Sequence, residues 1–150
     1  MNLSYQEKCI LGPLAAMLIV YGNYFAGSMI RWLRGGTEDG EIGRLLGTLA
    51  LLAVIEVAYQ IAMAVIDRPA PKDERDRMID AKATRNAYGV LAVSIVLVMG
   101  HVIFSEALPG LAWPFLLITP FLLVQAMLGA LVLAEVVKGV TQLYYYRAGI

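Results

Sequence analysis

Residues Leu45–Ile66 read LLGTLALLAVIEVAYQIAMAVI, 22 residues holding one charged side chain, Glu56. At about 1.5 Å per residue, a helix of that length crosses the roughly 30 Å of hydrocarbon in a bilayer. It is followed at once by DRPAPKDERDRMIDAKATR, residues 67–85, which carries eleven charges. Pro69 and Pro71 close the apolar run, because proline lacks an amide donor and disfavours helical geometry in the residue before it. A continuous apolar run ending abruptly in dense charge is the pattern of a membrane helix leaving the bilayer.

Working outward, the same pattern recurs at about Cys9–Ile30, Ala87–Phe104 and Leu111–Val137. The expected fold is therefore an all-α membrane protein, one domain over residues 1–150 with four transmembrane helices. A β-barrel is excluded because the runs are continuously apolar rather than alternating. Composition agrees: the 150 residues are 59% hydrophobic and 16% charged, against about 45–50% and 25% in soluble domains. A soluble chain this short has no interior large enough for so much apolar surface. The single cysteine, Cys9, rules out a disulfide scaffold and reads as a small buried hydrophobe. A net charge of zero argues against direct nucleic-acid binding.

Charge placement sets orientation, since Lys and Arg are retained on the cytoplasmic side. With four spans, Lys8, Arg68, Lys72, Arg75, Arg77, Lys82, Arg85, Lys138 and Arg147 share one side, and Arg31, Arg34 and Arg44 the other. Both termini and the charged segment 67–86 are then cytoplasmic. Trp32 and Trp113 fall at the outer boundary, and Tyr88 and Tyr144–Tyr146 at the inner one. The first span ends in Arg31-Trp32 rather than at a small-residue cleavage site, so it reads as an uncleaved helix.

Within the charged segment, Asp73 suits an N-cap, and Glu74 and Asp76 suit the positive end of a helix. Asp73–Arg77 and Arg77–Asp80 are spaced to pair along it. One helix is expected from about Asp73 into the third span, extending that span into the cytoplasm. Two readings fit this segment. Asp73, Glu74, Arg75, Asp76, Arg77, Lys82 and Arg85 form a contact surface for a cytoplasmic protein partner or for lipid, or they form a solvated helix of self-neutralising charge.

The run Asp73-Glu74-Arg75-Asp76-Arg77, followed by Ile79, Lys82, Arg85 and a membrane span, resembles an uncharacterised family of small bacterial four-helix membrane proteins. Those proteins carry a D-E-R-[DE]-R segment before the third span, and their tails are similar to Ala134–Val137 and Tyr144–Arg147 here. The resemblance extends over the chain in layout and over about fifteen residues in motif. It implies a multi-pass protein of a bacterial inner membrane and no known catalytic activity, so it adds location and topology rather than chemistry. Some members of that family are encoded beside small helix-turn-helix regulators, which implies a partner.

Charged and polar groups inside hydrocarbon are functional candidates by default. Asn23, Glu56, Gln60, His101 and Gln125 fall at compatible depths, so one polar cluster is expected. Either Glu56 and His101 move protons or bind a cation or polar ligand, or a protonated Glu56 hydrogen-bonds a neighbouring helix. Glu135 is explained by a local pair with Lys138. Gly43/Gly47, Ala58/Ala62 and Ala126/Ala130/Ala134 are small-residue stripes of the kind that mark helix contacts. Pro114 should open the fourth helix, while Pro13 and Pro120 should kink theirs.

One histidine and no cysteine pair give no expected metal or haem site, and no cofactor motif is present. No nucleophile–base pair is evident, so an enzyme is not expected. The leading expectation is a non-enzymatic accessory, sensor or partner-binding component, homo-oligomeric and embedded in the lipid bilayer. The alternative is a small homo-oligomeric transporter or channel that uses Glu56.

Overall fold

The structure, a computed structural model, describes residues 4–35, 40–66, 73–107 and 119–148. They form four helices: α1 (Tyr5–Leu33), α2 (Glu41–Ile66), α3 (Glu74–Ala107) and α4 (Pro120–Ala148). Each is long and apolar enough to cross a membrane. The all-α, four-helix expectation is met, with every helix longer than the apolar run that announced it.

Local chemistry fixes the helix starts. Ser4 and Glu7 form a capping box: the Glu7 amide donates to Ser4 Oγ at 3.2 Å, and the Ser4 amide donates to the Glu7 carboxylate at 2.9 Å. Asp73 caps α3 as expected, its carboxylate accepting from the Asp76 amide at 2.7 Å while its own amide donates to Asp76 at 3.2 Å. That capping role replaces the anticipated ion pairs of Arg77 with Asp73 and Asp80, neither of which forms. At α4, Thr119 Oγ1 accepts from the Leu122 amide at 3.2 Å. Pro120 is then the first helical residue, where its missing amide costs nothing and its fixed φ suits the helix. The expected kink at Pro120 is thus corrected to a helix start. Residues 111–118, Pro114 among them, lie outside the described part. Pro13 sits inside α1, which continues through it as one helix.

The four helices are arranged as a row of neighbours, α2–α1–α4–α3, with α3 and α4 sharing the most extensive contact. Among the described residues, α2 packs along α1 and α3 along α4, and α3 meets α1 only where Gln6 reaches Asp76. Met17, Tyr21 and Tyr24 of α1 meet Leu52 of α2 and Leu128 of α4 in the central cluster. At the α3–α4 junction, Ile79, Ala83 and Ala87 are buried on α3, and Ala83 has no exposed surface at all. Outside these seams the apolar side chains face outward, as with Val65 at 80% and Ile42 at 72% exposure. Such an apolar exterior suits lipid, not water.

Two glycines allow close helix approach. A Cβ on Gly12 would collide with the Tyr59 ring of α2, whose hydroxyl donates to the Lys8 carbonyl oxygen at 2.8 Å. A Cβ on Gly139 would press on the Leu14 side chain at 3.2 Å. Gly43 and Gly47 behave differently: nothing lies within 4 Å of a Cβ built on either. Of the α4 stripe, Ala130 and Ala134 are buried and Ala126 is exposed, while Ala58 and Ala62 of α2 also face outward.

Candidate functional site

A cavity of about 790 Å³ is walled by α1, α2 and α4, with α3 contributing at one end. Its upper wall is apolar, from Met17, Leu52, Leu128 and Leu131. Glu56 enters from mid-α2, and Gln60 lies one helical turn further along the same wall. Glu56 makes no hydrogen bond or ion pair among the described residues. Glu135 and Lys138 also line the cavity, and the local pair expected between them is not formed.

The inner end is closed by a polar clasp. The Tyr146 hydroxyl donates to Asp76 at 2.8 Å, Gln6 Nε2 reaches the same carboxylate at 3.4 Å, and Gln142 Nε2 donates to Asp80 at 2.8 Å. Burial, reinforced by the neighbouring Asp76 carboxylate, pushes the Tyr146 hydroxyl above its ordinary pKa, so it stays a donor. Lys82 sits 5.0 Å over the Tyr145 ring, a cation–π contact. Arg147 approaches Glu7 at 3.5 Å, which ties the end of α4 to the start of α1. Helical periodicity produces this arrangement. Asp76, Ile79, Asp80 and Ala83 share the side of α3 that meets α4, whereas Arg75, Met78, Lys82 and Arg85 follow one another on another side and are exposed.

The proposed contact set therefore splits. Asp73, Glu74, Arg75, Arg77, Lys82 and Arg85 are exposed, whereas Asp76 is turned inward and belongs to the clasp.

The five intramembrane residues do not gather into one cluster. Glu56 and Gln60 share the cavity, but Asn23 is exposed and does not line it. Gln125 donates to the Tyr24 hydroxyl, has no partner for its buried Oε1 among the described residues, and lines a smaller apolar pocket with Phe25 and Phe121. His101 lies on α3, its buried Nε2 without a partner among the described residues, while its carbonyl oxygen accepts from Ser105 Oγ at 2.6 Å. The row order explains the separation. Similar depth brings residues together only on helices that are neighbours, and α3 and α2 stand at opposite ends of the row. A Glu56–His101 relay is not assembled within the described residues.

A second constellation lies at the other end of the molecule, just beyond the spans, and sequence reasoning missed it. Glu41, 4% exposed, accepts from Arg31 Nε at 2.5 Å and Nη2 at 3.0 Å, from Arg44 at 2.8 Å and from Ser28 Oγ at 2.8 Å. The Arg31 guanidinium foremost, with the Ser28 hydroxyl and Arg44, holds the Glu41 carboxyl below its ordinary pKa. The available signal is Ser28 and Arg31 at i,i+3 before Gly35, with the acid Glu41 following Gly40. Gly35 and Gly40 have φ of +70° and +79°, a conformation glycine adopts without strain.

Among the described residues no group of three or more His, Cys, Asp or Glu side chains is placed to hold a metal ion. No family model, curated protein or solved structure matches the chain. What the cavity, the clasp and the exposed basic side can do is therefore argued from their chemistry.

Proposed function

We propose that this chain is a non-enzymatic protein of a bacterial inner membrane, akin to the family whose D-E-R-[DE]-R segment it resembles. In this reading both termini and the inner parts of α3 and α4 lie in the cytoplasm, and the protein acts as an accessory, sensor or partner-binding component. One observation carries it. The segment Glu74–Arg85 is not a free amphipathic helix: its Ile79–Ala83 side is sealed against α4, and its carboxylates Asp76 and Asp80 are consumed by Tyr146 and Gln142. Once those acids are turned in, the exposed remainder is dominated by Arg75, Arg77, Lys82 and Arg85. The charge that looked self-neutralising along the sequence is sorted by side.

A basic surface on a clamped helix loses little freedom on binding, so its contacts count towards affinity. An acidic surface on a cytoplasmic protein is the complementary partner. The exposed Gly43/Gly47 stripe of α2, which none of the described helices covers, supports homo-oligomerisation through that side.

Changing Arg75, Lys82 and Arg85 together to glutamine should lower recovery of a crosslinked cytoplasmic partner by about tenfold. Membrane insertion should persist, because six inner-side bases still face three outer-side ones. An unchanged set of partners in the triple variant would sink the docking reading.

A second reading is favoured by the position of Glu56, which lines the cavity beside Tyr21 and makes no hydrogen bond or ion pair among the described residues. It is a small homo-oligomeric transporter or channel whose path is completed by neighbouring protomers.

A further inference from the structure

We propose that the cavity between α2 and α4 binds a monovalent organic cation with an apolar body, its charge seated at Glu56. This inference rests on the membrane-spanning reading but not on transport.

The first support is the state of Glu56. A carboxyl in the middle of an apolar span is expected either to hydrogen-bond a neighbouring helix or to face a ligand or water. The helix-bridging role is not filled. Gln125, the amide best placed by depth, is engaged with Tyr24, and Gln60 is on the same helix as Glu56. Glu56 instead enters a cavity whose other side is α4, a helix that is not a packing neighbour of α2.

The second support is the charge balance of the walls. The cavity is lined by four carboxylates, Glu56, Asp76, Asp80 and Glu135, and by one cationic side chain, Lys138. Asp76 and Asp80 accept from neutral donors of Tyr146, Gln142 and Gln6, so those bonds leave their charge uncompensated. The field at Glu56 therefore favours a positive guest.

The third support is size and polarity. About 790 Å³ lies within the roughly 300–1,000 Å³ of small-molecule sites. Aliphatic walls above Glu56, from Met17, Leu52 and Leu128, suit an apolar body, and Tyr21 lines the cavity beside Glu56. A bare metal ion is a poor fit, because no three ligating side chains converge among the described residues.

The test is equilibrium dialysis of tetraphenylphosphonium against the full chain in lipid nanodiscs. The neutral isostere tetraphenylsilane is used as competitor, and all proteins are taken from the wild-type elution volume. Saturable binding by the wild type is expected. Glu56→Gln should weaken it about tenfold or more, Glu56→Asp should retain it within about threefold, and the neutral competitor should not displace the cation. The shorter acid separates loss of charge from loss of fold. No saturable binding by the wild type, equal binding by Glu56→Gln, equal loss in both variants, or displacement by the neutral isostere would each overturn the proposal. Liposome flux distinguishes the two claims: saturable binding that Glu56→Gln weakens, without flux above empty liposomes, leaves the binding site standing and removes only the transporter reading.

Discussion

Glu41→Ala should lower the thermal midpoint of the detergent-solubilised protein, because it removes a 4%-exposed carboxylate that accepts from Ser28, Arg31 and Arg44. Arg31 and Arg44 are 36% and 51% exposed, so water takes up their charge and the loss is that of the shared contacts. The loss falls on the α1–α2 pair, one end of which is fastened by this carboxylate and the other by the Tyr59–Lys8 hydrogen bond. The pH dependence follows from the depressed carboxyl. Its stabilisation is fully present above the unfolded-state value near 4.3 and drains away as pH falls through the lower folded-state value. Thermal scans between about pH 6 and 3 should show a steeper decline in the wild type than in Glu41→Gln, which keeps only the contribution of other depressed carboxyls such as Glu7. A Glu41→Ala protein as stable as the wild type, or parallel pH curves, would contradict the role assigned to this cluster.

Ala83→Leu should detach the inner parts of α3 and α4 from each other. Ala83 is 0% exposed at the most extensive helix contact in the molecule, and three added carbons have no space there. Overpacking of this kind costs about 1–3 kcal/mol. The consequence extends beyond stability, because the Tyr146–Asp76 and Gln142–Asp80 bonds span the same junction. Limited proteolysis should reach Lys138 and Arg147 faster in Ala83→Leu than in wild type, and partner recovery should fall with the basic side no longer held. Ala81→Leu, on an exposed position two residues earlier, serves as the control and should change stability by under about 0.5 kcal/mol. Equal protease resistance in the two variants would show that the junction does not hold the extension.

Much of the architecture is legible in the sequence because hydrophobic run length is a one-dimensional property. Leu45–Ile66 announces α2 without knowledge of any neighbour, and Asp73 announces the start of α3 because capping is local. The lateral order of the helices is not encoded that way. It arises from which glycines and alanines allow close approach, such as Gly12 beneath Tyr59 and Ala83 against α4, and similar small residues at Gly43 and Gly47 face outward. The polar cluster was consequently only half anticipated. Glu56 and Gln60 fall together because they lie one turn apart on one helix, whereas His101 and Gln125 needed knowledge of the row. Pro120 shows the same limit on a smaller scale: a proline inside an apolar run reads as a kink until Thr119 is seen to start the helix there.

The central claim is that the α3–α4 clasp and both termini share one side of the membrane, the cytoplasmic side, opposite the Glu41 cluster. Single cysteines report this directly when introduced into a Cys9→Ser background and probed with a membrane-impermeant maleimide on intact spheroplasts. Arg34→Cys should label from outside, while Glu74→Cys and Ala148→Cys should label only after the membrane is permeabilised. Labelling of Glu74→Cys or Ala148→Cys in intact spheroplasts, with Arg34→Cys protected, would contradict the account.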